Sequence, residues 1–335
     1  KPNLKWICSA AKGIAEAAPQ PLIVVIKSTV PVGTAEMVAK IIARHTRNKH
    51  SFPVVSNPEF LREGLAVFDF MHPSRIVIGA AEANAAQAVA QIWRPFGCPI
   101  IFCDNRTSEM IKYTANAFLA TKISFINEIA SLCDKLGVDV KEVARTVGMD
   151  KRIGSSFLEA GLGWGGSCLP KDMRALIHMA DSQSMSSPLL RAVIRVNREQ
   201  PRRAVKKLQK LLGSLEGKTI GILGLAFKPN SDDMREASSL SIIALLKKQG
   251  CQIRAYDPLA MKAAAKLMPD LCYCSDAYEV AEDSDALILV TEWDEFKELD
   301  LPRLRSLMKY PVLLDGRNLY DPEEVIQAGF VYEGM

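Results

Sequence analysis

The stretch TSEMIKYTANAFLATKISFINEIASLCDKLG, Thr107 to Gly137, decides the architecture of this chain. It keeps helical spacing throughout, with Thr107 and Ser108 as candidate N-caps and Gly137 as a residue typical of the position after a helix. Apolar residues lie on nearly all sides of the predicted helix. We therefore expect it to be buried between domains or between subunits.

Before this helix, short apolar strands alternate with helical segments. LIVVIKSTV (Leu22 to Val30) is rich in β-branched residues and is typical of a buried parallel strand, and the segment EMVAKIIARH that follows has helical spacing. The later segments FPVVSNP, RIVIGA and PIIFCD are also predicted strands. The pattern indicates an α/β layout in residues 1–106.

After the long helix, three more helical segments are predicted: VDVKEVARTVG, a helix around KDMRALIHMAD, and PLLRAVIRVNREQPRRAVKKLQKLLG. Past Gly217 strands return with KTIGILGLAF, CQIRAYDP, DALILVT and PVLLDGRN, the last of these being the final predicted strand. We therefore divide the chain into an α/β segment (1–106), a helical segment (107–213) and a second α/β segment (214–335).

Composition narrows the class of protein. At 335 residues, with 48% hydrophobic and 24% charged residues, the chain is typical of a globular protein of two or more domains. Its 42 basic and 38 acidic residues are spread along the chain, which argues against nucleic acid as the main partner. No apolar run is long enough to span a membrane and the start lacks a secretory signal layout, so we expect no membrane partner and a cytoplasmic location.

Eight cysteines without a secretory signal indicate reduced thiols rather than disulfides. Cys98, Cys133 and Cys251 stand in apolar surroundings and are predicted small core residues. Cys272 and Cys274 form a C-x-C pair, but no second pair stands at zinc-finger spacing, and the four histidines show no metal-ligand pattern. We therefore expect no metal.

Two glycine-containing stretches resemble phosphate-binding turns. Gly161, Gly163 and Gly166 match G-x-G-x-x-G, yet GSSFLEA before them is no strand, so we interpret the match as accidental. GILGLAFKP (Gly221 to Pro229) follows a strand but has different glycine spacing. It could hold a phosphate on backbone N–H groups, with Lys228 as the cation.

GWGGSCLPKD (Gly163 to Asp172) gives a cysteine an unusual setting. Pro170 favours the first turn of a helix, so Cys168 is predicted at or just before a helix N-terminus. The helix dipole and Lys171 would favour a thiolate there, and Asp172 follows four residues later as a possible acceptor. From local sequence alone, a reactive thiol and a small residue at a tight turn both remain open.

Further polar residues mark candidate sites. Lys112 and Asn116 stand four residues apart on the long helix, so they face the same way amid apolar neighbours. Such a lysine could donate to an oxyanion, or simply extend to solvent. Glu59 and Glu63 in PEFLRE are candidate carboxylates, and Thr29 ends a predicted strand, where ligands gather in α/β sheets.

Several long motifs resemble one family in order and spacing: KSTVPVGT, SNPEFLREGLAVFDF, HPSRIVIG, EMIKYTANAFLATKISFINE, GWGGSCLPKD, GLAFKPNSDDMREAS and DGRN. It is the UDP-glucose/GDP-mannose dehydrogenase family, and the resemblance runs from about residue 20 to the C-terminus. It implies two successive NAD-dependent oxidations that turn the C6 alcohol of a nucleotide sugar, UDP-glucose first among them, into a carboxylate. UDP-glucuronate for surface polysaccharide would be the product.

The resemblance also implies roles for individual residues. Cys168 would form a thiohemiacetal and then a thioester, Lys112 would stabilise the oxyanion at C6, and Asp172 and Thr29 would hold the water, with Glu59 as base and Asn116 on the sugar. The nucleotide-sugar site would comprise Glu59, Phe60, Leu61, Arg62, Glu63, Lys112, Asn116, Arg152, Phe157, Leu158, Glu159, Ala160, Gly161, Gly165, Phe227, Lys228 and Arg317. Thr29, Glu63, Lys171 and Arg235 match positions near NAD.

The implied fold has three parts: an N-terminal Rossmann-type domain, a central helical dimerisation segment with the long helix, and a C-terminal Rossmann-like nucleotide-sugar domain. Arg152 matches a position that reaches a neighbouring subunit's site, which predicts at least a homodimer. One departure stands out. Family members carry a true G-x-G-x-x-G turn far upstream of KSTVPVGT, whereas residues 1–26 hold none. We therefore expect only a remnant of the NAD-binding domain, with its fingerprint part missing, and poor NAD binding by this chain alone.

Other functions remain open from sequence. Within the family, GDP-mannose and UDP-N-acetylhexosamines are alternative substrates, because base recognition rests on loops. A cysteine-dependent acyltransferase or hydrolase would use Cys168 without NAD. A non-catalytic fragment that only binds or assembles is the third alternative.

Overall fold

The computed structural model describes residues 3–46 and 52–335. The chain divides into two compact units. The first comprises Lys1–Ala117 and Asp172–Ser187, and the second comprises Phe118–Lys171 and Pro188–Met335.

The first unit is a mixed α/β structure. Its elements are α1 (Lys5–Ala17), β1 (Val24–Ile26), α2 (Thr34–His45), β2 (Val54–Ser56), α3 (Ala66–Met71), β3 (Ile76–Ala80), α4 (Ala83–Trp93) and β4 (Ile100–Cys103). The strands form one sheet in the order β1-β2-β3-β4, parallel except for the antiparallel pair β2 and β3. The predicted strands are confirmed, although the first spans only the middle of LIVVIKSTV.

Helices cover this sheet because their apolar residues recur at helical spacing. Ala35, Val38 and Ile42 of α2 pack in one cluster with residues of α1 and β1. Val89 and Trp93 of α4 pack in a second cluster with β2 and β3. The described residues of the first unit therefore form two small cores, one where α1 and α2 pack near β1 and one where α4 packs near β2 and β3.

The long helix is present as α5 (Asn105–Leu136), but it begins earlier than predicted. Thr107 and Ser108 lie inside the first turn rather than at the cap. Asp104 precedes the helix and accepts hydrogen bonds from the Thr107 backbone N–H (2.9 Å) and hydroxyl (2.6 Å), so Asp104 is the N-cap. Gly137 follows the helix with a φ of +67°, as predicted.

Part of the apolar surface of α5 is exposed in the single chain, and its burial between domains or between subunits stays a prediction. Ala120, Ile126 and Ala130 are buried, but Phe118, Phe125 and Leu132 are 63%, 55% and 52% exposed. These three stand seven residues apart and therefore form one apolar stripe along the helix.

The second unit contains the remaining helices and a six-stranded sheet. Its elements are the end of α5, α6 (Val140–Gly148), the first residues of α7 (Leu169–Ser182), α8 (Pro188–Leu212), β5 (Thr219–Leu223), α9 (Ser238–Lys248), β6 (Gln252–Tyr256), α10 (Met261–Leu267), β7 (Cys272–Tyr273), α11 (Ala277–Ala281), β8 (Ala286–Leu289), α12 (Asp294–Lys297), α13 (Leu301–Leu307), β9 (Val312–Asp315), α14 (Pro322–Gln327) and β10 (Val331–Gly334). The prediction that PVLLDGRN is the last strand is wrong, because β10 pairs with it.

The sheet of the second unit is parallel throughout, in the order β10-β9-β8-β5-β6-β7. Ile220 and Ile222 of β5 and all four residues of β8 and of β9 are buried, as expected for strands covered on both faces. The chain leaves β5 first toward β6 and later returns on its other side at β8. This strand order is that of a Rossmann-like fold. Among the described residues, we find no helix with the length and apolar character to cross a membrane.

Candidate functional site

Polar residues gather at the carboxyl ends of β1 and β2 in the first unit. The two strands are parallel, with Ile26 paired to Ser56, so Lys27 and Asn57 follow at the same level. Lys27 Nζ donates to Asn57 Oδ1 at 3.0 Å. Thr29, partly exposed, and Glu59 come two residues further along. The carboxyl edge of parallel strands is where α/β proteins bind ligands, so this edge is the candidate site of the first unit.

Lys112 and Glu59 meet at this edge. Lys112, only 4% exposed on α5, lies with its Nζ 3.3 Å from Glu59 Oε1 and 5.2 Å from the centre of the Phe60 ring. The other Glu59 oxygen accepts a hydrogen bond from the Leu61 backbone N–H at 2.6 Å. Lys112 therefore does not extend to solvent, because a carboxylate and an aromatic face hold it in place.

One turn further along α5, Asn116 meets Asp172. Asn116 Nδ2 donates to Asp172 Oδ2 at 2.6 Å, and both residues are buried. Burial and the nearby carboxylates of Asp172 and Glu109 raise the pKa of the neighbouring Tyr113 hydroxyl, so this phenol stays protonated. The i,i+4 spacing of Lys112 and Asn116 thus places two polar pairs on one face of α5.

The rest of EFLRE is fixed by neighbours in the first unit. Phe60 also lies 4.1 Å beneath the Arg75 guanidinium. Arg62 forms an ion pair with Asp69 (2.6 Å), which raises the pKa of Arg62 through hydrogen bonding. Glu63 is partly exposed. The segment is therefore an ordered loop between β2 and α3.

Cys168 belongs to the second unit and lies directly before α7, as predicted from Pro170, which is the second residue of that helix. Its side chain is exposed, and its sulfur lies 3.6 Å from Ser167 Oγ. Lys171 and Asp172 follow in the first turn of α7. An exposed thiol at a helix N-terminus can act as a nucleophile.

The glycines before Cys168 allow close approach of the chain to itself. A Cβ on Gly165 would lie 2.2 Å from the Glu236 carbonyl oxygen, and one on Gly161 would lie 2.9 Å from that of Gly316. Gly166 has a φ of +79°, and a Cβ on it would lie 2.7 Å from the Phe227 ring. No strand lies between residues 149 and 168, so G-x-G-x-x-G here is not a dinucleotide turn, as predicted.

Asparagine side chains that the sequence did not single out hold this turn. Asn127 Oδ1 accepts from Gly161 N–H at 2.7 Å, and Asn318 Nδ2 donates to the Ala160 carbonyl at 3.1 Å. Asn197 bonds both the N–H and the carbonyl of Trp164. The indole of Trp164 donates to Ser124 Oγ at 2.9 Å. These partners come from distant parts of the sequence and carry no local signal.

A cavity of about 260 Å³ opens beside the segment Phe157–Gly161. It is lined by Val140, Lys141, Ala144, Arg145, Ser155, Leu158, Glu159, Ala160, Arg317 and Asn318. Arg317 is held over it by hydrogen bonds from Nε to the Val290 carbonyl (2.7 Å) and from Nη1 to the Gly163 carbonyl (3.4 Å). Cations beside a cavity of this kind suit a nucleotide or another anionic ligand.

The other predicted site residues of the second unit lie on its surface. Arg152 is 88% exposed at its side chain and pairs with Asp150. Arg235 pairs with Asp233 at 2.8 Å, while its carbonyl accepts from Gly166 N–H. Lys228 Nζ lies 5.4 Å from the Phe227 ring.

The prediction that GILGLAFKP holds a phosphate on its backbone N–H groups is wrong. Asp257, fully buried at the end of β6, accepts from the N–H groups of Leu225 (2.7 Å) and Ala226 (3.0 Å) with one carboxylate oxygen. The Trp293 indole donates to the same oxygen. A carboxylate of the chain itself therefore occupies the place that an anion would take.

The catalytic candidates are divided between the units. Thr29, Glu59, Lys112, Asn116 and Asp172 belong to the first, and Cys168 to the second. Within the first unit the structure brings Lys112 to Glu59 and Asn116 to Asp172.

Comparison with known proteins relates this arrangement to one family. Residues 1–97, 106–199 and 221–322 match the NAD binding, central and UDP binding domains of the UDP-glucose/GDP-mannose dehydrogenase family. The chain is 47% identical over 334 residues to UDP-glucose 6-dehydrogenase TuaD of Bacillus subtilis, covering 99% of the chain and 72% of TuaD.

The chain belongs to the UDP-glucose/GDP-mannose dehydrogenase family. It is also 46% identical to a UDP-glucose 6-dehydrogenase of Rhizobium meliloti, covering 99% of the chain and 77% of that protein. The structure of a UDP-glucose dehydrogenase from Pyrobaculum islandicum superimposes with a TM-score of 0.91 at 40% identity, covering 99% of the chain and 75% of that structure.

One expectation about this dehydrogenase family member is wrong. We expected the fingerprint part of the NAD-binding domain to be missing, but the family's NAD binding domain matches residues 1–97. The expectation relied on a single glycine motif, whereas the family match covers the whole of residues 1–97.

The described residues fit one end of NAD. Thr29 and Glu59 offer polar groups at the carboxyl edge of a parallel strand pair, and Thr29 is accessible. The N-terminus of α2 does not serve a phosphate, because Glu109 accepts from the N–H groups of Gly33 (2.6 Å) and Ala35 (2.7 Å) there. The strand edge therefore suits the nicotinamide-bearing end of NAD rather than its phosphates.

Proposed function

We propose that this member of the dehydrogenase family oxidises UDP-glucose to UDP-glucuronate in two NAD-dependent steps, with Cys168 carrying the sugar between them. One observation carries the proposal: in a chain of this family, Cys168 is an exposed thiol directly before the N-terminus of α7. The pairs Lys112–Glu59 and Asn116–Asp172 support it with a buried cation and fixed polar groups.

The first step converts the C6 alcohol to an aldehyde. When bound, NAD accepts the hydride that leaves C6. Lys112 stabilises the negative charge that develops on the C6 oxygen as its proton passes to water, because a positive charge at a mostly buried position acts more strongly than one in water. Asn116 binds the sugar next to it.

The second step requires the thiol. The Cys168 sulfur attacks the aldehyde carbon, and the former carbonyl oxygen takes up a proton, which gives a thiohemiacetal. Loss of a second hydride from C6 and of the hydroxyl proton then leaves a thioester. The exposed position of the Cys168 sulfur directly before α7 leaves it accessible to the aldehyde.

Water ends the cycle. Glu59 accepts a proton from water as its oxygen attacks the thioester carbon, and the carbon–sulfur bond breaks to release the carboxylate and the Cys168 thiolate. Asp172 and Thr29 orient this water. The reaction thus consumes two NAD and one water for each UDP-glucose.

The residues proposed to contact the sugar nucleotide are EFLRE (Glu59 to Glu63), Lys112, Asn116, Arg152, FLEAG (Phe157 to Gly161), Gly165, Phe227, Lys228 and Arg317. The cavity lined by Arg317 suits its anionic nucleotide part. Thr29, Glu63, Lys171 and Arg235 are proposed to bind NAD. The segments 1–106, 107–213 and 214–335 are proposed to act as NAD-binding, dimerisation and UDP-sugar domains.

The apolar stripe Phe118, Phe125 and Leu132 suits a homodimer. Its seven-residue spacing is that of helices that pack side by side. In such a dimer Arg152 is proposed to reach the site of the other subunit. Reduced thiols and NAD chemistry suit a cytoplasmic location.

Exchange of Cys168 for serine tests the proposal. With UDP-glucose and NAD, Cys168→Ser should stop UDP-glucuronate release while a single hydride transfer survives, seen as NADH without acid product. Cys272→Ser, at another exposed cysteine, is the matched control and should behave as wild type. Wild-type acid release by Cys168→Ser would exclude the thioester route. If the enzyme turned over GDP-mannose or a UDP-N-acetylhexosamine and not UDP-glucose, that sugar nucleotide would replace UDP-glucose as the proposed substrate.

A further inference from the structure

Lys27 is a partly buried cation at the candidate site for which the proposed chemistry has no role. Its Nζ donates to Asn57 Oδ1 at 3.0 Å and lies 4.8 Å from the centre of the Trp93 ring. The same Asn57 oxygen accepts from the Trp93 indole N–H at 3.0 Å. Lys27 and Trp93 thus hold one amide oxygen between them.

Asn57 in turn fixes the end of β2. It is 1% exposed, its Nδ2 donates to the Val77 carbonyl at 2.8 Å, and its backbone N–H donates to the Ile26 carbonyl at 2.9 Å. Pro58 follows, with a restricted backbone, and then Glu59. Glu59 therefore follows closely after a residue whose side chain and backbone N–H are both hydrogen-bonded.

A lysine at this place is unfavourable for stability. Burial lowers the pKa of Lys27, and the negative charge of Glu59 opposes that shift by raising it. An apolar side chain would fill the space beside Trp93 without the desolvation cost. Lys27 thus carries a positive charge that interacts with Glu59, although burial disfavours the charged form of this lysine.

Glu59 already has a cation in Lys112, but Lys112 has a second task in the proposed reaction. During hydride loss its ammonium group faces the C6 oxygen, and a lysine engaged with Glu59 is less available for that. A second positive charge near Glu59 would hold this carboxylate while Lys112 faces the C6 oxygen.

We propose that Lys27 is a positioning residue for Glu59, which holds the Asn57–Glu59 segment and supplies the second positive charge that keeps the Glu59 carboxylate in place when Lys112 turns to the sugar. This inference rests on the proposed function, since it takes Glu59 as the base of thioester hydrolysis. Lys27 itself touches neither the sugar nor the thioester.

Three variants separate charge from shape. Lys27→Met fills the space beside Trp93 without charge, Lys27→Gln keeps an N–H donor for Asn57 without charge, and Lys27→Arg keeps the charge. Lys5→Gln is the control, because Lys5 also lies near a tryptophan ring but at an exposed position of α1. The readouts are steady-state NADH formation with UDP-glucose and the intact mass of the protein during turnover, which shows sugar bound to Cys168.

We expect Lys27→Met and Lys27→Gln to slow turnover about tenfold and to accumulate the sugar thioester, because hydrolysis becomes the slow step. Lys27→Arg should recover most of the rate, and Lys5→Gln should match wild type. Wild-type turnover without adduct in either neutral variant overturns the inference. So does an equal loss in Lys27→Arg, which would show that shape alone matters. Cys168→Ser in the same assay distinguishes the two failures, because it tests the proposed function whatever Lys27 does.

Discussion

Two glycine-containing turns of the second unit look alike in sequence but differ in the groups that contact their backbone. In Gly161–Cys168 the glycines lie against backbone carbonyls and a phenyl ring, and the residue left exposed at the end is a thiol. In Gly221–Lys228 the N–H groups that could face a ligand are bonded to the buried carboxylate of Asp257. The glycines show where the chain packs closely. Only the group left accessible shows where chemistry can occur.

Removal of the Asp257 carboxylate should have the largest effect on stability. Asp257→Ala leaves five donors without their acceptor, most of them buried, namely the N–H groups of Leu225, Ala226, Leu259 and Ala260 and the Trp293 indole. We expect a loss of about 4 kcal/mol in the free energy of unfolding by urea denaturation. Asp300→Ala, at an exposed helix cap, should lose only about 1 kcal/mol. Equal losses would mean that the carboxylate does not hold the second turn.

Gly165→Ala tests the first turn. The new Cβ would lie 2.2 Å from the backbone oxygen of Glu236, in the turn before α9, so this turn would have to shift and we expect a loss of about 3 kcal/mol and slower turnover. Gly13→Ala, on α1 with open space around it, should be neutral or stabilising. Thermal unfolding of both variants measures the difference. A Gly165→Ala protein as stable as wild type would show that the turn is loosely packed.

Cys168 and Cys251, two thiols of the second unit, should differ in their reactivity toward alkylating reagents. Burial raises the pKa of Cys251 to about 11, so at pH 8 it remains almost wholly a thiol, while Cys168 is exposed. We expect iodoacetamide to modify Cys168 at least about a hundredfold faster than Cys251, as measured by peptide mass spectrometry. Raising the pH toward 11 should narrow the gap, because the Cys251 thiolate then forms. Equal rates at pH 8 would contradict the burial of Cys251.

Ser124→Ala should have the smallest effect. It removes the acceptor of the Trp164 indole N–H and one hydrogen bond to the Val193 carbonyl, for an expected loss of about 1 kcal/mol. Ser131→Ala on the same helix removes only a bond to its own helix backbone and should cost less. Chemical denaturation of the pair compares them. A larger loss for Ser131→Ala would show that the Trp164 bond does not stabilise the turn.

The sequence predicted what depends on neighbours along the chain. Pro170 placed Cys168 before a helix, and the i,i+4 spacing put Lys112 and Asn116 on one face. The start of α5 was wrong by a few residues, because Asp104 takes the cap that Thr107 and Ser108 also suit. The phosphate interpretation of GILGLAFKP failed because its N–H groups meet Asp257, which is distant in sequence. The asparagines that hold the first turn were missed for the same reason.

Trp164 lies inside the turn Gly161–Cys168, so its fluorescence can report on that turn. Trp164 is 8% exposed, four residues from Cys168, and its indole bonds Ser124. Indole emission shifts to longer wavelength when the ring meets water, so a change in this turn would register as a red shift. Trp6, 77% exposed on α1, already emits as a hydrated indole, and the buried Trp93 and Trp293 lie away from this turn in sequence. A red shift on top of their emission would therefore report on the segment that presents the thiol.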